Sequence, residues 1–291
     1  MIVTVGSLKG SPGATTLALA LADRWPAGGE PLVVEADPAG GDLGARFGLS
    51  PQRGLVTLAA AGRRGGGGQP RPLAEHVHRL PGGLEVLTAP AGAEQARQAL
   101  GELGGGGWSL LWAAARQGGR PVLVDCGRLD PASPAAPALR AADVLLLVVR
   151  ARDDELAHLA TRMRVIQGWR LPAWYLVVAG QPGRDDRYRM RDLAGVLGAR
   201  VLGPIPHDPA AAAVLAGQRR ARGGISRSRL GRAAAELAGY LTGHLDVPDQ
   251  TTPDQHVPVR PGRDEPAALP AVSTGWVPAD TVYAPREKEA R

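Results

Sequence analysis

The chain has 291 residues, of which 44% are hydrophobic and 21% are charged, with one cysteine and a formal net charge of +6. One cysteine excludes an intrachain disulfide scaffold and a four-cysteine zinc site. The N-terminal sequence lacks the basic and apolar regions of a signal peptide, and no apolar run reaches the roughly 18 residues that a membrane-spanning helix needs, so we expect a globular, cytoplasmic protein.

Short apolar runs alternate with segments of helix-forming composition. Most runs are unbroken, which is typical of strands buried on both faces. The predicted strands are Ile2–Gly6, Pro31–Glu35, Leu84–Thr88, Pro121–Asp125, Val144–Val149, Trp174–Ala179 and Arg200–Gly203. The predicted helices are Ala14–Trp25, Ala93–Leu103, Asp153–Gly168, Tyr188–Leu197 and Ser228–Leu245. This order predicts an α/β fold with a mostly parallel sheet and helices on both faces, and such a sheet binds ligands beyond the carboxyl ends of its strands.

Three segments differ from this pattern. The glycine-rich stretches Arg63–Gly68 and Gly104–Gly107 are predicted to be surface loops, because successive glycines have no side chains to pack. From Asp246 to Arg291 the chain contains eight prolines and no helical or strand period, which predicts a disordered tail. We therefore expect one folded domain at residues 1–245 and a Pro-rich tail at 246–291.

The first predicted strand leads into Lys9-Gly10-Ser11-Pro12-Gly13-Ala14-Thr15-Thr16 and then into a helix. A glycine-containing turn between a strand and a helix directs backbone N–H groups and the positive helix terminus at one point, where a phosphate is stabilised. The usual phosphate loop ends in Gly-Lys-Ser/Thr, whereas this chain has Ala14 in place of the lysine. Lys9 is the only lysine of the predicted domain, because Lys288 lies in the tail.

This segment resembles the deviant Walker A motif of the MinD/ParA ATPases, which typically reads Lys-Gly-Gly-x-Gly-Lys-Thr-Thr. Lys9 matches the signature lysine of that family, which contacts nucleotide across a dimer interface. The resemblance implies a P-loop NTPase-like fold, with Thr15 binding Mg²⁺ and Thr16 bonding the α-phosphate. The nucleotide-binding residues that it implies in this segment are Gly10, Ser11, Pro12, Gly13, Ala14, Thr15 and Thr16.

Two more stretches resemble the same family. Asp37, which follows Glu35-Ala36, matches the acid that orients the attacking water, with Glu35 replacing the usual Asp. Asp125 in Val122–Gly127 matches the Walker B acid, which implies that it binds Mg²⁺ through water, since this hard cation prefers oxygen ligands. The resemblance thus implies ATP and Mg²⁺ as cofactors, with Lys9 and Asp37 catalytic.

The segment Leu202–Asp208 resembles the part of the family that lines the adenine pocket, which places Pro206 and Asp208 at the nucleotide. Many family members carry a base-reading Asn after the preceding strand, but this chain has Val178-Ala179-Gly180 there. Cys126 is predicted to be a packing residue rather than a catalytic one.

Two functions remain open, and a metabolic P-loop enzyme is a third, less favoured one. The resemblance implies a dimerising switch with slow ATP hydrolysis that acts in spatial positioning or partitioning of a chromosome, plasmid, septum, pilus or secretion machinery, and Asp37 and Asp125 favour it. Ala14 favours a catalytically dead scaffold or adaptor, because the missing lysine would offset phosphate charge during phosphoryl transfer. We hypothesise that Lys9, from the same subunit or the partner, supplies the only lysine charge at the phosphates.

A basic segment between positions 219 and 232 carries a charge equal to the whole formal net charge. Its arginines are Arg219, Arg220, Arg222, Arg227, Arg229 and Arg232. Such a segment attracts DNA phosphates or anionic lipid headgroups. The alternative interpretation is that it is a solvated loop and helix start in an arginine-rich protein. The expected partners are a second copy of the chain, non-specific DNA or an anionic membrane surface, and an unknown protein. If the segment binds DNA or membrane, some of the cytoplasmic protein would be located at the nucleoid or at the inner face of the membrane.

The last predicted helix has Leu230, Leu237, Leu241 and Leu245 on or near one face. This spacing favours packing of the helix on the core over attachment to a membrane.

Overall fold

A computed structural model describes residues 1–9, 12–63, 72–116, 119–130, 132–169, 171–180 and 190–245. The chain divides into two units, 1–248 and 249–291, and all described residues lie in the first. The predictions made for Gly10, Ser11, the loop at 64–68 and the tail at 246–291 therefore lie outside the described residues.

Strands and helices alternate along the described chain. The strands are β1 (Ile2–Ser7), β2 (Leu32–Glu35), β3 (His78–Arg79), β4 (Glu85–Leu87), β5 (Val122–Arg128), β6 (Val144–Arg150), β7 (Trp174–Ala179) and β8 (Val201–Ile205). The helices are α1 (Ala14–Asp23), α2 (Leu43–Phe47), α3 (Leu55–Arg63), α4 (Ala93–Glu102), α5 (Gly107–Arg116), α6 (Ala136–Ala141), α7 (Asp153–Gln167), α8 (Met190–Leu197), α9 (Pro209–Leu215) and α10 (Arg229–Leu245).

The strands form one sheet in the order β3-β4-β2-β5-β1-β6-β7-β8. All neighbouring strands are parallel except β3 and β4. The chain leaves β1 towards β2 on one side and later enters β6 on the other. A crevice therefore opens at the carboxyl ends of β5, β1 and β6, where sheets of this class bind ligands.

Two apolar cores cover the two faces of the sheet. One contains side chains of α3 to α8, and the other contains side chains of α1, α2, α9 and α10. Successive strand residues face opposite cores, as Ile2 and Val3 do in β1. The central strands are buried along nearly their whole length, which the unbroken apolar runs predicted. The α/β fold with a mostly parallel sheet and helices on both faces is confirmed.

The prediction that Gly104–Gly107 is a surface loop was wrong. Leu103–Gly105 forms a 3₁₀ turn, and Gly107 is buried and begins α5. A Cβ atom at Gly62 in α3 would collide with the backbone N of Gly107. Glycine is therefore used here for close approach of two backbones, so the residues contribute to packing because they lack side chains.

Helix α10 packs on the core, as predicted. Leu230, Leu237 and Leu241 are buried in the same core as α1, whereas the side chain of Leu245 lies outside the described set. Within the described ranges, no helix has the length and apolar character that a membrane span requires.

Candidate nucleotide and magnesium site

The turn between β1 and α1 presents a helix N-terminus to the crevice. Gly13 has φ 100°, a backbone conformation that favours glycine, and α1 begins at the next residue. No side chain of the described residues caps this terminus. The N–H groups of its first turn are therefore available to an anion, which the helix dipole also favours.

Thr15 and Asp125, the two predicted magnesium ligands, lie in contact. The Thr15 side chain hydrogen-bonds to the carboxylate of Asp125, which also accepts the Gly127 N–H at 3.1 Å. Burial raises the pKa of Asp125 to about 6, the bonds from Thr15 and Gly127 oppose the rise, and the nearby Asp37 adds to it. A cation beside this carboxylate would offset the cost of its buried negative charge, and Mg²⁺ prefers oxygen ligands, so the pair fits Mg²⁺.

Asp37 completes the acidic edge of the crevice. It follows β2, is half-buried and accepts the Ala39 N–H at 2.8 Å. Burial raises the pKa of Asp37, against the effect of the bond from Ala39. Gly127 has φ 57°, and a Cβ atom there would overlap the Asp37 carboxylate. The structure thus brings Asp37 against the segment that follows Asp125.

The protein side chains of this edge would not hold a metal ion alone. In the part of the chain that the structure describes, no three His, Cys, Asp or Glu side chains converge on one point. A Mg²⁺ ion held by Thr15 and Asp125 would therefore take its remaining ligands from phosphate and water oxygens, as this ion commonly does.

Glu35 is a buried structural carboxylate. Its Oε1 atom accepts the N–H groups of Asp42 at 2.8 Å and Leu43 at 2.9 Å, and its Oε2 atom accepts the Ala89 N–H at 3.1 Å. Leu43 begins α2, so Glu35 caps that helix terminus. Burial raises the pKa of Glu35 to about 7, although these three bonds oppose the rise. Glu35 thereby anchors the segment that follows Asp37.

A cleft of about 300 Å³ adjoins the start of α1, between the ends of β6 and β7 and the segment after β8. Pro12, Gly13 and Thr16 line it from the predicted phosphate-binding segment, and Pro206 and Asp208 line it from the predicted adenine segment. Its place next to an open helix terminus suits the nucleoside end of a nucleotide. Ala14 is buried, with 7% of its surface exposed.

No protein-family model matches the chain, and no curated protein matches it by sequence. Solved structures match its fold. A ParA family ATPase from Chlorobium tepidum TLS is 18% identical with a TM-score of 0.65, covering 82% of this chain and 99% of that one. The septum site-determining protein MinD from Pyrococcus horikoshii OT3, complexed with Mg-ADP, is 18% identical with a TM-score of 0.62, covering 82% and 95%. The MinC:MinD cell division protein complex of Aquifex aeolicus is 19% identical with a TM-score of 0.59, covering 84% of this chain and 96% of that one. This chain has the ParA/MinD fold.

Asp208 lies in the wall of the cleft in this ParA/MinD fold, where its carboxylate accepts backbone hydrogen bonds. Its Oδ1 atom accepts the Ala211 N–H at 3.1 Å, which caps α9. Its Oδ2 atom accepts the N–H groups of Arg229 at 3.1 Å and Leu230 at 3.3 Å, at the start of α10. These bonds lower the pKa of Asp208. The Asp208 carboxylate therefore holds two helix termini and shapes the cleft.

Lys9 points away from the cleft. Its Nζ atom lies 3.9 Å from Oδ2 of Asp154 in α7, and 40% of its side-chain surface is exposed. Within one chain, the structure therefore does not bring Lys9 to the Thr15 and Asp125 pair. The direction of Lys9 is compatible with the other expectation, in which a partner subunit supplies this residue.

Arg150, the last residue of β6, was not among the predicted site residues. It lines the same cleft as Thr16 and Pro206, and its Nε atom lies 2.9 Å from Oε1 of Glu155. Nothing in the sequence distinguishes Arg150 from the many other arginines. Its place in the cleft follows from the position of β6 next to β1 in the ParA/MinD fold.

All six arginines of the basic segment are exposed. They follow α9 and continue into the first turn of α10, where the Arg232 side chain donates to the Arg227 carbonyl at 2.7 Å. The segment therefore forms a basic surface that is open to a large anionic partner.

Proposed function

We propose that this chain is a nucleotide-dependent switch that binds Mg²⁺-ATP, dimerises in the ATP-bound state and hydrolyses ATP slowly. The observation that carries the proposal is the bond from Thr15 to the buried Asp125, next to the open N-terminus of α1. The structurally similar MinD from Pyrococcus horikoshii is complexed with Mg-ADP, which supports the same ligand for this chain.

Each residue of the site has a role in this proposal. The first turn of α1 would bind the phosphates through N–H groups, and Thr15 and Asp125 would hold Mg²⁺, which would neutralise phosphate charge. Asp37 lies beside them and would hold the attacking water and accept its proton. Burial raises the pKa of Asp37, which favours its acceptance of a proton.

Turnover is expected to be slow because Ala14 provides no charge at the phosphates. Removing one donor that stabilises developing negative charge typically costs about 10² to 10³ in rate. Lys9 of the same chain lies 3.9 Å from Asp154, outside the described lining of the cleft. Dimerisation would bring the Lys9 of a second subunit to the site. The switch would act on the object that it positions through a protein partner. The structurally similar MinD is found in complex with such a protein, MinC.

Titration with Mg²⁺-ATP and Mg²⁺-ADP tests the proposal, with heat release and oligomeric state followed together. We expect binding of both nucleotides and dimer formation with ATP alone. Asp125→Asn is expected to weaken the Mg²⁺-dependent binding about 10- to 100-fold. Asp130→Asn is the control, because Asp130 lies on the same segment and bonds to the Ala132 N–H. Equal binding by wild type and Asp125→Asn would contradict the assignment of Asp125.

The scaffold or adaptor is the second candidate, and the burial of Ala14 with Lys9 outside the cleft favours it. A single measurement distinguishes the two functions. A switch releases phosphate from bound ATP over minutes to hours, whereas a scaffold keeps ATP intact or binds none at millimolar concentration.

We also propose that the basic segment holds DNA without sequence preference at the nucleoid. Its arginines are exposed, and the apolar face of α10 is buried, so this part of the described chain offers charge without an apolar face for insertion into lipid. Anionic membrane is the alternative partner.

Changing Arg219, Arg220 and Arg222 to Gln is expected to weaken binding of a random DNA duplex and to flatten its salt dependence. Each lost phosphate contact reduces the slope of log K against log salt by about 0.9. Fluorescence anisotropy at several salt concentrations measures both effects. Gln at the exposed Arg97, Arg116 and Arg140 is the matched control. Unchanged DNA binding, or stronger binding to anionic vesicles than to DNA, would contradict the proposal.

A further inference from the structure

Arg150 places a positive charge in the nucleotide cleft. Among the described residues that line the cleft, it is the only arginine or lysine. Lys9 lines a different and smaller cavity and pairs with Asp154. The described lining thus combines one cation, Arg150, with one carboxylate, Asp208, next to the open start of α1.

Glu155 holds Arg150 in place by two contacts. Its Oε2 atom accepts the backbone N–H of Arg150 at 2.8 Å, and its Oε1 atom lies 2.9 Å from Nε. Only 5% of the Glu155 side-chain surface is exposed, compared with 39% for Arg150. A guanidinium has five N–H donors, so this one carboxylate leaves donors available to a second anion.

The strand order sets where these donors can act. Strand β6 pairs directly with β1, and Val148 lies in register with Ser7, near the end of β1. Asp125 lies in β5, on the other side of β1. The crevice therefore has its metal-binding carboxylate on the β5 side and a cation on the β6 side.

We propose that Arg150 binds the phosphate chain of the nucleotide held in its own chain and supplies part of the positive charge that Ala14 lacks. Glu155 is its positioning residue. This inference rests on the proposed nucleotide binding and adds the residue that recognises the phosphates. Arginine suits the task, because its guanidinium stays charged and binds phosphate oxygens in pairs.

The test compares Mg²⁺-ADP affinity in wild type, Arg150→Met, Arg150→Lys and Arg152→Met, measured by calorimetry. Met keeps much of the apolar length and removes the charge. We expect Arg150→Met to weaken ADP binding about 10- to 100-fold, the range of a hydrogen bond to a charged group. Arg150→Lys should restore part of the loss. Arg152→Met removes an equal charge from an exposed residue that pairs with Asp154, and it should leave the affinity unchanged.

Three further results separate the interpretations. Thermal unfolding without nucleotide should show all four proteins folded at the temperature of the titration, with a lower midpoint for Arg150→Met because the buried Glu155 loses its ion-pair partner. Equal ADP affinity in wild type and Arg150→Met, or an equal loss in Arg150→Met and Arg150→Lys, would overturn the phosphate contact while leaving the proposed function intact. Failure of wild type itself to bind ADP, with Asp125→Asn no different, would overturn the proposed function and this inference together.

Discussion

Ala14→Lys is expected to raise ATP turnover by about 10² to 10³-fold, the factor associated with one donor that stabilises developing charge. Position 14 is the first residue of α1 and follows Gly13, where the resemblance to the MinD/ParA ATPases places the phosphate-loop lysine. A lysine here would direct its ammonium at the phosphates that we propose bind at the helix terminus.

The same substitution should destabilise the nucleotide-free protein. Ala14 is buried, and a cation at a helix N-terminus opposes the helix dipole. Bound ATP should recover this loss, so the unfolding temperature of the variant should rise more with Mg²⁺-ATP than that of wild type. Ala14→Met, which has similar length and no charge, is the control for both effects. Turnover that does not increase in Ala14→Lys, although ATP binds, would show that the missing lysine is not what limits hydrolysis.

Glu35→Ala is expected to lower the free energy of unfolding by about 3 kcal/mol or more. Three N–H groups, those of Asp42, Leu43 and Ala89, would lose their acceptor, and each buried unpaired group costs about 1–3 kcal/mol. Urea unfolding measures the change, with the exposed Glu30→Ala as control. A loss as small as that of the control would mean that water replaces the carboxylate.

Glu35 also gives stability a pH dependence in the absence of Mg²⁺ and nucleotide. Its pKa is about 7 in the folded protein, above the ordinary 4.5, so the folded state binds the proton more tightly than the unfolded chain does. The contribution of Glu35 to stability is therefore complete below pH 4.5 and decreases as pH rises to about 7, by about 1.4 kcal/mol per unit of pKa difference.

Comparing wild type with Glu35→Gln isolates this contribution, because Gln does not titrate. Between pH 5 and pH 8, the free energy of unfolding of wild type should fall relative to that of Glu35→Gln. A constant difference across this range would contradict the raised pKa of Glu35.

The sequence predicted the parts of the fold that local pattern determines. Unbroken apolar runs placed the central strands within a few residues, and the turn at Gly13 followed from its glycine and the helix after it. Strand β5 nevertheless continues beyond Asp125 to Arg128, because Arg128 pairs with Ser7 after a register shift that no local pattern encodes. Asp125 is thus an internal strand residue.

The remaining features depend on contacts between distant residues. Glu35 bonds to Ala89, 54 residues away, so its structural role could not be inferred from its own surroundings in sequence. Arg150 enters the cleft because β6 lies beside β1, and Asp208 bonds to the start of α10, 21 and 22 residues further on. The direction of Lys9 likewise follows from Asp154 in α7, which the strand order brings near it.

The candidate site has one part on the central strands and another part next to an edge strand, and these two parts should differ in rigidity. Strands β1 and β5, which carry the phosphate turn and Asp125, are paired on both sides and buried, so their amide hydrogens exchange with solvent only when much of the sheet opens. In the described sheet, β8 lies at an edge, pairs with β7 alone and is largely accessible. In the proposed nucleotide complex, local opening at β8 would therefore admit and release the base while the half of the site that binds phosphate stays intact.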